Sequence, residues 1–262
     1  MKKVIILAVT ICMAALLAAC GGNADGQGSD DQADQSQAEQ AGQAEDTEQE
    51  MQMDKKQATL LYMGHGSIRI TTAEDKVIYI DPFVGDDDWY GPAADLILST
   101  HDHYDHTEFD KIENRSGDCR TITRKEALEG GQHQSFDLGY AKVEAVEAGY
   151  NKNHDVKECV GYVITLSDGV TVYVSGDTST TEQMPSLVDR NLDYAFFCCD
   201  GIYNMDTDEA SECAAIVKAK HNIPYHMTAA NSGVFFDRAV AEQFKADGRI
   251  IMEEGEELEL IK

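Results

Sequence analysis

Thr100-His101-Asp102-His103-Tyr104-Asp105-His106 follows directly on the apolar run Leu96-Ile97-Leu98-Ser99. The run reads as a strand leaving a hydrophobic core, and metal-competent side chains begin where it ends. Along an extended segment residues two apart point to the same side, so His101 and His103 can converge on one ion. Asp105 and His106 are adjacent. They share a face only if the strand has given way to a turn, and they then aim at a second ion beside the first. The alternative is a solvated loop that happens to be rich in histidine. The distribution argues against it, because the chain has 8 His and His101, His103 and His106 all fall in this stretch. Histidine is the commonest metal ligand.

Further strands are expected over residues 59–62, 67–71, 77–80, 97–100, 121–123, 142–148, 161–166, 170–175, 195–198 and 223–226. Turn signals separate them at Asp75-Lys76, Gly139-Tyr140 and Asp168-Gly169. Helices are expected over 107–113, 182–188, 208–219 and 238–246. The third carries Ala210, Cys213, Ala214 and Val217 at helical spacing, with Asp206 or Thr207 as N-cap. Strand clusters separated by helices place the chain in the α/β (α+β) class, and periodicity takes the reading no further.

The His-x-His-x-Asp-His run after a strand resembles the signature of the metallo-β-lactamase fold. Leu61-Tyr62-Met63-Gly64-His65-Gly66-Ser67, Ile80-Asp81-Pro82-Phe83, Gly161-Tyr162-Val163-Ile164, Ser175-Gly176-Asp177-Thr178 and Ile223-Pro224-Tyr225-His226 occur in an order similar to one branch of that superfamily. That branch comprises metal-dependent hydrolases similar to ascorbate-6-phosphate lactonase. The resemblance spans roughly residues 57–262, and it is specific for fold and metal site but not for substrate. It implies an αββα sandwich of two β-sheets flanked by helices.

The resemblance also implies a ligand set. The first metal is expected on His101, His103 and a third His after the strand ending near Ala148. His154 takes that place, with Asn151 or a water as its competitor. The second metal is expected on Asp105, His106 and His226, and Asp177 matches the carboxylate that bridges both ions. Read without the family, Gly176-Asp177-Thr178 is equally an ordinary turn. Asp81 is expected outside the ligand set, orienting a ligand His through its other ring nitrogen. His65, in a Gly-His-Gly turn, is read either as a substrate contact or as a structural turn residue. Tyr203 and Asn204 are expected to shape the pocket. His133 is expected at the surface, and His221 at a helix exit, where the helix C-terminus favours it. Trp89, the only Trp, and Tyr90 either line the cleft mouth or cover core.

The ends of the chain carry a separate message. Met1-Lys2-Lys3 is a positive n-region, residues 4–19 are apolar, and Leu17-Ala18-Ala19-Cys20 resembles a bacterial lipobox. The run is signal-peptide length and marginal for a spanning helix, which needs about 20 apolar residues. Residues 1–19 are therefore expected to be a lipoprotein signal peptide cleaved before a lipidated Cys20, the alternative being an uncleaved anchor. Multiple acyl chains would hold the protein on the bacterial cell membrane with the domain outside the cytoplasm. Residues 20–56 contain no aromatic residue and are dominated by Gln, Asp, Glu, Gly, Ala and Ser. Such a composition cannot offset its ordering entropy, so a disordered acidic tether is expected before the domain at 57–262.

The formal net charge of −27 excludes a nucleic-acid substrate, since phosphate backbones require a basic footprint. A small-molecule substrate is expected instead. Of 7 Cys, Cys12 and Cys20 belong to the leader region. Cys119, Cys159, Cys198, Cys199 and Cys213 remain, without C-x-x-C spacing. Cys198 and Cys199 sit in an apolar run and are expected to pack as small hydrophobes; a disulfide is left open.

The function that the resemblance implies is hydrolysis of an ester, lactone, amide or phosphodiester by a hydroxide activated between two divalent ions, with Asp105 orienting the hydroxide and relaying a proton. β-Lactam hydrolysis is not expected of this branch. The donors are N and O atoms, which suit zinc, with manganese or iron as alternatives. The competing classes are an iron-dependent oxidoreductase of the same fold and a non-catalytic exported binding lipoprotein.

Overall fold

The computed structural model describes Val4–Ile5 and residues 56–262. The tether and almost all of the leader lie outside the described residues. A first mixed sheet holds β1 (Val4–Ile5), β2 (Ala58–Gly64), β3 (Ser67–Thr71), β4 (Val77–Ile80), β5 (Ala94–Leu98), β6 (Arg115–Ile122) and β13 (Glu257–Leu260), in the order β1-β13-β2-β3-β4-β5-β6. The second holds β7 (Ser135–Asp137), β8 (Ala141–Glu147), β9 (Val160–Leu166), β10 (Thr171–Val174), β11 (Tyr194–Cys198) and β12 (His221–Tyr225), in the order β12-β11-β10-β9-β8-β7. β1 lies within the stretch read as a leader and pairs only Val4 with Glu257 and Ile5 with Leu258.

Alternation sorts the side chains of the first sheet onto its two faces. Leu60 and Tyr62 of β2, Ile78 and Ile80 of β4, and Leu96 and Leu98 of β5 enter the main core shared with the second sheet. Leu61, Met63, Val77, Tyr79 and Ile97 point the other way into a second cluster, which Tyr90 and Ile112 complete and Trp89 and Phe109 cover. Trp89 is thus a cover for core. Its ring lies where a Cβ on Gly85 or Gly255 would come within 2.8 Å or 2.7 Å.

The second sheet is covered by α2 (Thr207–Val217) and α3 (Arg238–Gln243), with a 3-10 helix at Met184–Arg190 packed on α2. The short α1 (Arg124–Ala127) sends Ala127 into the main core. Asp206 caps α2 by accepting the N–H groups of Asp208 and Glu209, and Ala210, Cys213, Ala214 and Val217 form its buried face. Two β-sheets flanked by helices make this the α+β sandwich that the resemblance implies.

Local differences from the expected elements have physical causes. No α-helix forms over 107–113. The Glu108 N–H donates to Pro82 O at 2.8 Å and the Thr107 hydroxyl to His103 O, so only the 3-10 turns Tyr104–His106 and Phe109–Lys111 appear. The 182–188 helix is a 3-10 helix with proline in its first turn. β7 and β13 were not anticipated, and neither was α1 with its Thr123/Glu126 capping box. All five cysteines of the domain are free, and Cys198 and Cys199 are buried among apolar side chains.

Strand direction places the site. β4 and β5 are parallel, and β2 runs the same way through two antiparallel steps. In the second sheet β10, β11 and β12 are parallel, and β8 shares their direction through β9. Each of these strands therefore delivers its next residues to one edge of the sandwich: His65 after β2, Asp81 after β4, His101 after β5, His154 after β8, Asp177 after β10, Asp200 after β11 and His226 after β12. Ligand sites in parallel sheets lie at such carboxyl ends.

Gly176 is what brings Asp177 in. It has φ +64°, and a Cβ there would stand 2.7 Å from Val160 O and 3.1 Å from Thr100 Cβ. Gly176→Ala is expected to cost about 1–3 kcal/mol in chemical denaturation through this strain and overlap. A cost within error of zero would show that the turn tolerates a side chain.

Candidate metal centre

Three of the strand-terminal residues leave their strands with left-handed backbone: His65 (φ 50°), Asp81 (φ 46°) and His226 (φ 47°). For a non-glycine residue this costs roughly 1–2 kcal/mol. The main chain holds them there. The Asp81 N–H donates to Leu98 O at 2.9 Å, and the His65 N–H donates to Phe235 O at 2.9 Å. The His226 N–H donates to His65 O at 3.0 Å, stitching the two sheets together beneath the site. Strain of this kind gathers where a side chain must be aimed.

His101, His103 and His154 form one group whose ligand atoms lie within 4.8 Å of one another, with His103 the exposed member. Their ring centroids are 4.5 Å (His101–His103), 5.1 Å (His101–His154) and 5.0 Å (His103–His154) apart. Asp105, His106 and His226 form a second group, and the structure adds His65 to it. Asp177 stands between the two. Its Oδ1 is 3.4 Å from His106 Nε2 and 3.4 Å from His226 Nε2, and its Oδ2 is 3.4 Å from His154 Nε2. Every residue anticipated as a ligand is thus brought to one site: His101, His103, Asp105, His106, His154, Asp177 and His226.

The protons are set by a surrounding layer. His106 Nδ1 donates to Asp81 Oδ2 at 2.9 Å, which turns Nε2 toward the site; burial acts to lower the pKa of this ring, but Asp177 and Asp81 raise it well above its ordinary value. The Thr100 hydroxyl donates to the same Asp81 Oδ2 at 2.8 Å and therefore accepts from His101 Nδ1 at 3.1 Å. Asn151 Oδ1 lies 3.2 Å from His154 Nδ1, so Asn151 orients His154 rather than replacing it. Asp200 Oδ2 faces His226 Nδ1 at 3.3 Å, an ion-pair distance without the alignment of a strong hydrogen bond. Asn204 bridges the carboxylates, donating to Asp177 Oδ2 at 2.9 Å and to Asp200 Oδ2 at 2.7 Å.

The result is an inward-facing set of buried, unpartnered atoms: Nε2 of His101, His106 and His226, and Oδ1 of Asp177. Such atoms cost several kcal/mol in pairs or groups unless something satisfies them. Their chemistry, imidazole nitrogens converging on a carboxylate, fits a divalent cation, which would take the place of the protons that Asp177 favours on His106 and His226. Burial lowers the His101 pKa well below its ordinary value, with the neighbouring His106 adding to the effect, and burial lowers that of His154. Both rings are therefore neutral donors. Burial acts to raise the Asp177 carboxyl, but His226 and His106 hold it well below the usual carboxylate range.

His65 and Asp200 are the residues that the sequence did not assign. His65 is fully buried, its Nε2 is 3.0 Å from Asp105 Oδ2, and its ring lies 3.7 Å from that of His226. Burial, with His226 beside it, pushes the His65 pKa down to about 4, so it is a neutral donor to Asp105. Burial acts to raise the Asp105 carboxyl, and the bond from His65 together with His106 reverses that. The Gly-His-Gly turn marked His65 without saying which way it pointed. Asp200 carries no assigned role in the sequence, and nothing in its spacing links it to His226.

The ligands floor a cleft of about 310 Å³ lined also by Tyr104, Asn153, Tyr203, Ala230 and Asn231. A wider groove of about 890 Å³ passes on the far side of Tyr104 and meets none of the ligands. His133, which is exposed, and His221 lie away from this cleft; His221 opens β12 and stacks on Tyr194 at 5.0 Å rather than meeting the end of α2.

Residues 59–226 match the model of the beta-lactamase superfamily domain. The chain is 27% identical to a UPF0173 metal-dependent hydrolase of Pyrococcus furiosus over 76% of its own length and 98% of the relative's. It is 27% identical to one of Nitratidesulfovibrio vulgaris over 65% and 80%. A crystal structure from Parabacteroides distasonis, described as a metal-dependent hydrolase, superposes with a TM-score of 0.61 at 26% identity, covering 76% of this chain and 93% of that one. Sheet architecture and family match agree, and the chain belongs to the beta-lactamase superfamily domain family, with the metallo-β-lactamase fold.

Proposed function

We propose that this metal-dependent hydrolase uses two divalent ions, zinc first among them, to cleave an ester, lactone, amide or phosphodiester of a small molecule. The observation that carries the reading is the convergence of buried, unpartnered Nε2 atoms of His101, His106 and His226 on the equally unpartnered Asp177 Oδ1. His101, His103 and His154 would hold one ion, Asp105, His106 and His226 the other, and Asp177 both. Bound there, the ions supply Lewis-acid polarisation of a carbonyl or phosphoryl oxygen and bring the pKa of water toward neutrality.

The remaining chemistry belongs to the side chains. Asp105 lines the cleft, and its low pKa keeps it an anion able to orient the attacking water and take up a proton. His65 fixes the carboxylate through Oδ2. Asp81 and Asp200 hold His106 and His226 so that the rings need no reorganisation during reaction. The motifs similar to ascorbate-6-phosphate lactonase support the lactone within this list. The Leu17-Ala18-Ala19-Cys20 stretch supports export and anchoring through Cys20, with the acidic tether holding the site clear of the membrane.

Elemental analysis of the purified protein is expected to give close to two zinc or manganese ions per chain, falling toward one in His154→Ala. Two iron ions would favour the iron-dependent oxidoreductase, and no metal would favour a binding protein. His103→Ala and Asp177→Ala are each expected to abolish chelator-sensitive turnover while circular dichroism stays folded; full activity in either would remove that residue from the site.

His65→Ala is expected to lower kcat by about 10–100-fold with KM little changed, because Asp105 loses its orienting donor. His65→Gln, which keeps a donor, is expected to recover part of that loss. Equal loss in both variants would make His65 a packing residue only.

A further inference from the structure

The described residues include seven large hydrophobic side chains with more than a third of their surface exposed: Tyr104, Tyr150, Val188, Ile202, Tyr203, Val234 and Ile261. Five of them, Tyr104, Tyr150, Ile202, Tyr203 and Val234, sit on four of the loops that carry residues of the site. Tyr104 lies between His103 and Asp105, Tyr150 precedes His154, Ile202 and Tyr203 follow Asp200, and Val234 follows His226. Exposed apolar groups scattered over a surface require no explanation, but groups gathered around one cleft mark a binding surface.

Two of the five line the cleft itself. Tyr104 is 60% exposed and Tyr203 is 44% exposed. Tyr104 is braced rather than free. Phe83 meets it edge-on at 5.6 Å, and Phe235 meets Phe83 edge-on at 5.7 Å. Ala230 adds a further apolar surface to the lining.

The charge of the cleft points the same way. Apart from the metal-site residues, the polar side-chain groups of the described lining are neutral: the amides of Asn153 and Asn231 and the hydroxyls of Tyr104 and Tyr203. No Lys or Arg is among the described lining residues. Asn153 already donates to Tyr203 O at 2.9 Å. Arg124, which reaches the site loop, is spent on Asp102 at 2.8 Å. A phosphate, sulfate or carboxylate remote from the reacting bond would find no lysine or arginine among the described lining residues, and near Asp105 it would meet like charge.

We infer that the substrate is a neutral ester, lactone or amide whose non-reacting part is a short apolar chain or single ring held between Tyr104 and Tyr203, and that substrates bearing a second anionic group are rejected. This rests on the hydrolase reading above and narrows it, setting aside phosphorylated lactones. The cleft volume, at the small end of ligand pockets, limits the apolar group to a short one.

The test uses the full chain loaded with zinc and four p-nitrophenyl esters: acetate, butyrate, hexanoate and the hemisuccinate, which matches butyrate in length but ends in a carboxylate. The expected result is a kcat/KM about tenfold higher for butyrate than for acetate. The hemisuccinate is expected at least tenfold below butyrate. In Tyr203→Ala the gain from acetate to butyrate should shrink to less than twofold, with metal content by elemental analysis showing that the site is still built, and Tyr203→Phe should restore it. Butyl-chain binding is read independently of turnover by Nile red fluorescence, which butyramide should displace and succinamate should not. Chelator-sensitive acetate hydrolysis with no chain-length gain, or with hemisuccinate equal to butyrate, overturns this inference and leaves the hydrolase reading standing. Absence of chelator-sensitive hydrolysis of every ester, together with no metal in the protein, overturns both.

Discussion

A carboxylate buried at the junction of two sheets governs this molecule. Asp177 is 3% exposed and has three imidazole nitrogens at 3.4 Å. An isolated buried carboxylate is far too costly to survive, so it must meet positive charge or be protonated. His226 and His106 keep it ionised, and imidazole nitrogens are aimed at the same space, an arrangement that a divalent cation satisfies and a packed apolar core would not. The loops, the strained turns and the outer layer of hydrogen bonds serve to place donors around that one charge.

The supporting layer repeats one device. Asp81 holds His106 and Asp200 holds His226, each carboxylate taking the ring nitrogen that faces away from the centre. Thr100 and Asn151 do the same for His101 and His154 without charge. His65 extends the pattern from rings to a carboxylate, fixing Asp105 while its own main chain ties β2 to the residue after β12. The strain at His65, Asp81 and His226 is affordable because the main-chain bonds and the two cores over-determine those turns.

Fold and reaction separate at the cleft mouth. Solved structures with the same fold include a protein named isothiocyanate hydrolase at 17% identity and the CmlA beta-hydroxylase at 15%, likenesses that speak for the fold alone. On a shared fold, the loop surface above the candidate metal centre is where such sites can differ. Here that surface is aromatic and uncharged, on a chain whose net charge is −27.

Residue type and spacing along the chain were enough to mark the α+β class, the His101-to-His106 cluster and the strand ends that carry it, because alternation and turn chemistry are local. Asp81 was legible as an outer partner for a ligand only through the family resemblance of Ile80-Asp81-Pro82. His154 and Asp177 needed the family resemblance, since a lone His in a polar loop and a Gly-Asp-Thr turn have ordinary readings of their own. Only the folded chain decided the rest. Whether His65 faced substrate or Asp105 depended on a left-handed turn held by Phe235, far along the sequence. The helix expected over 107–113 was lost to a hydrogen bond with Pro82, and Asp200 met His226 only because β11 and β12 are parallel neighbours. Those outcomes come from long-range pairing, and such contacts leave no trace in local spacing.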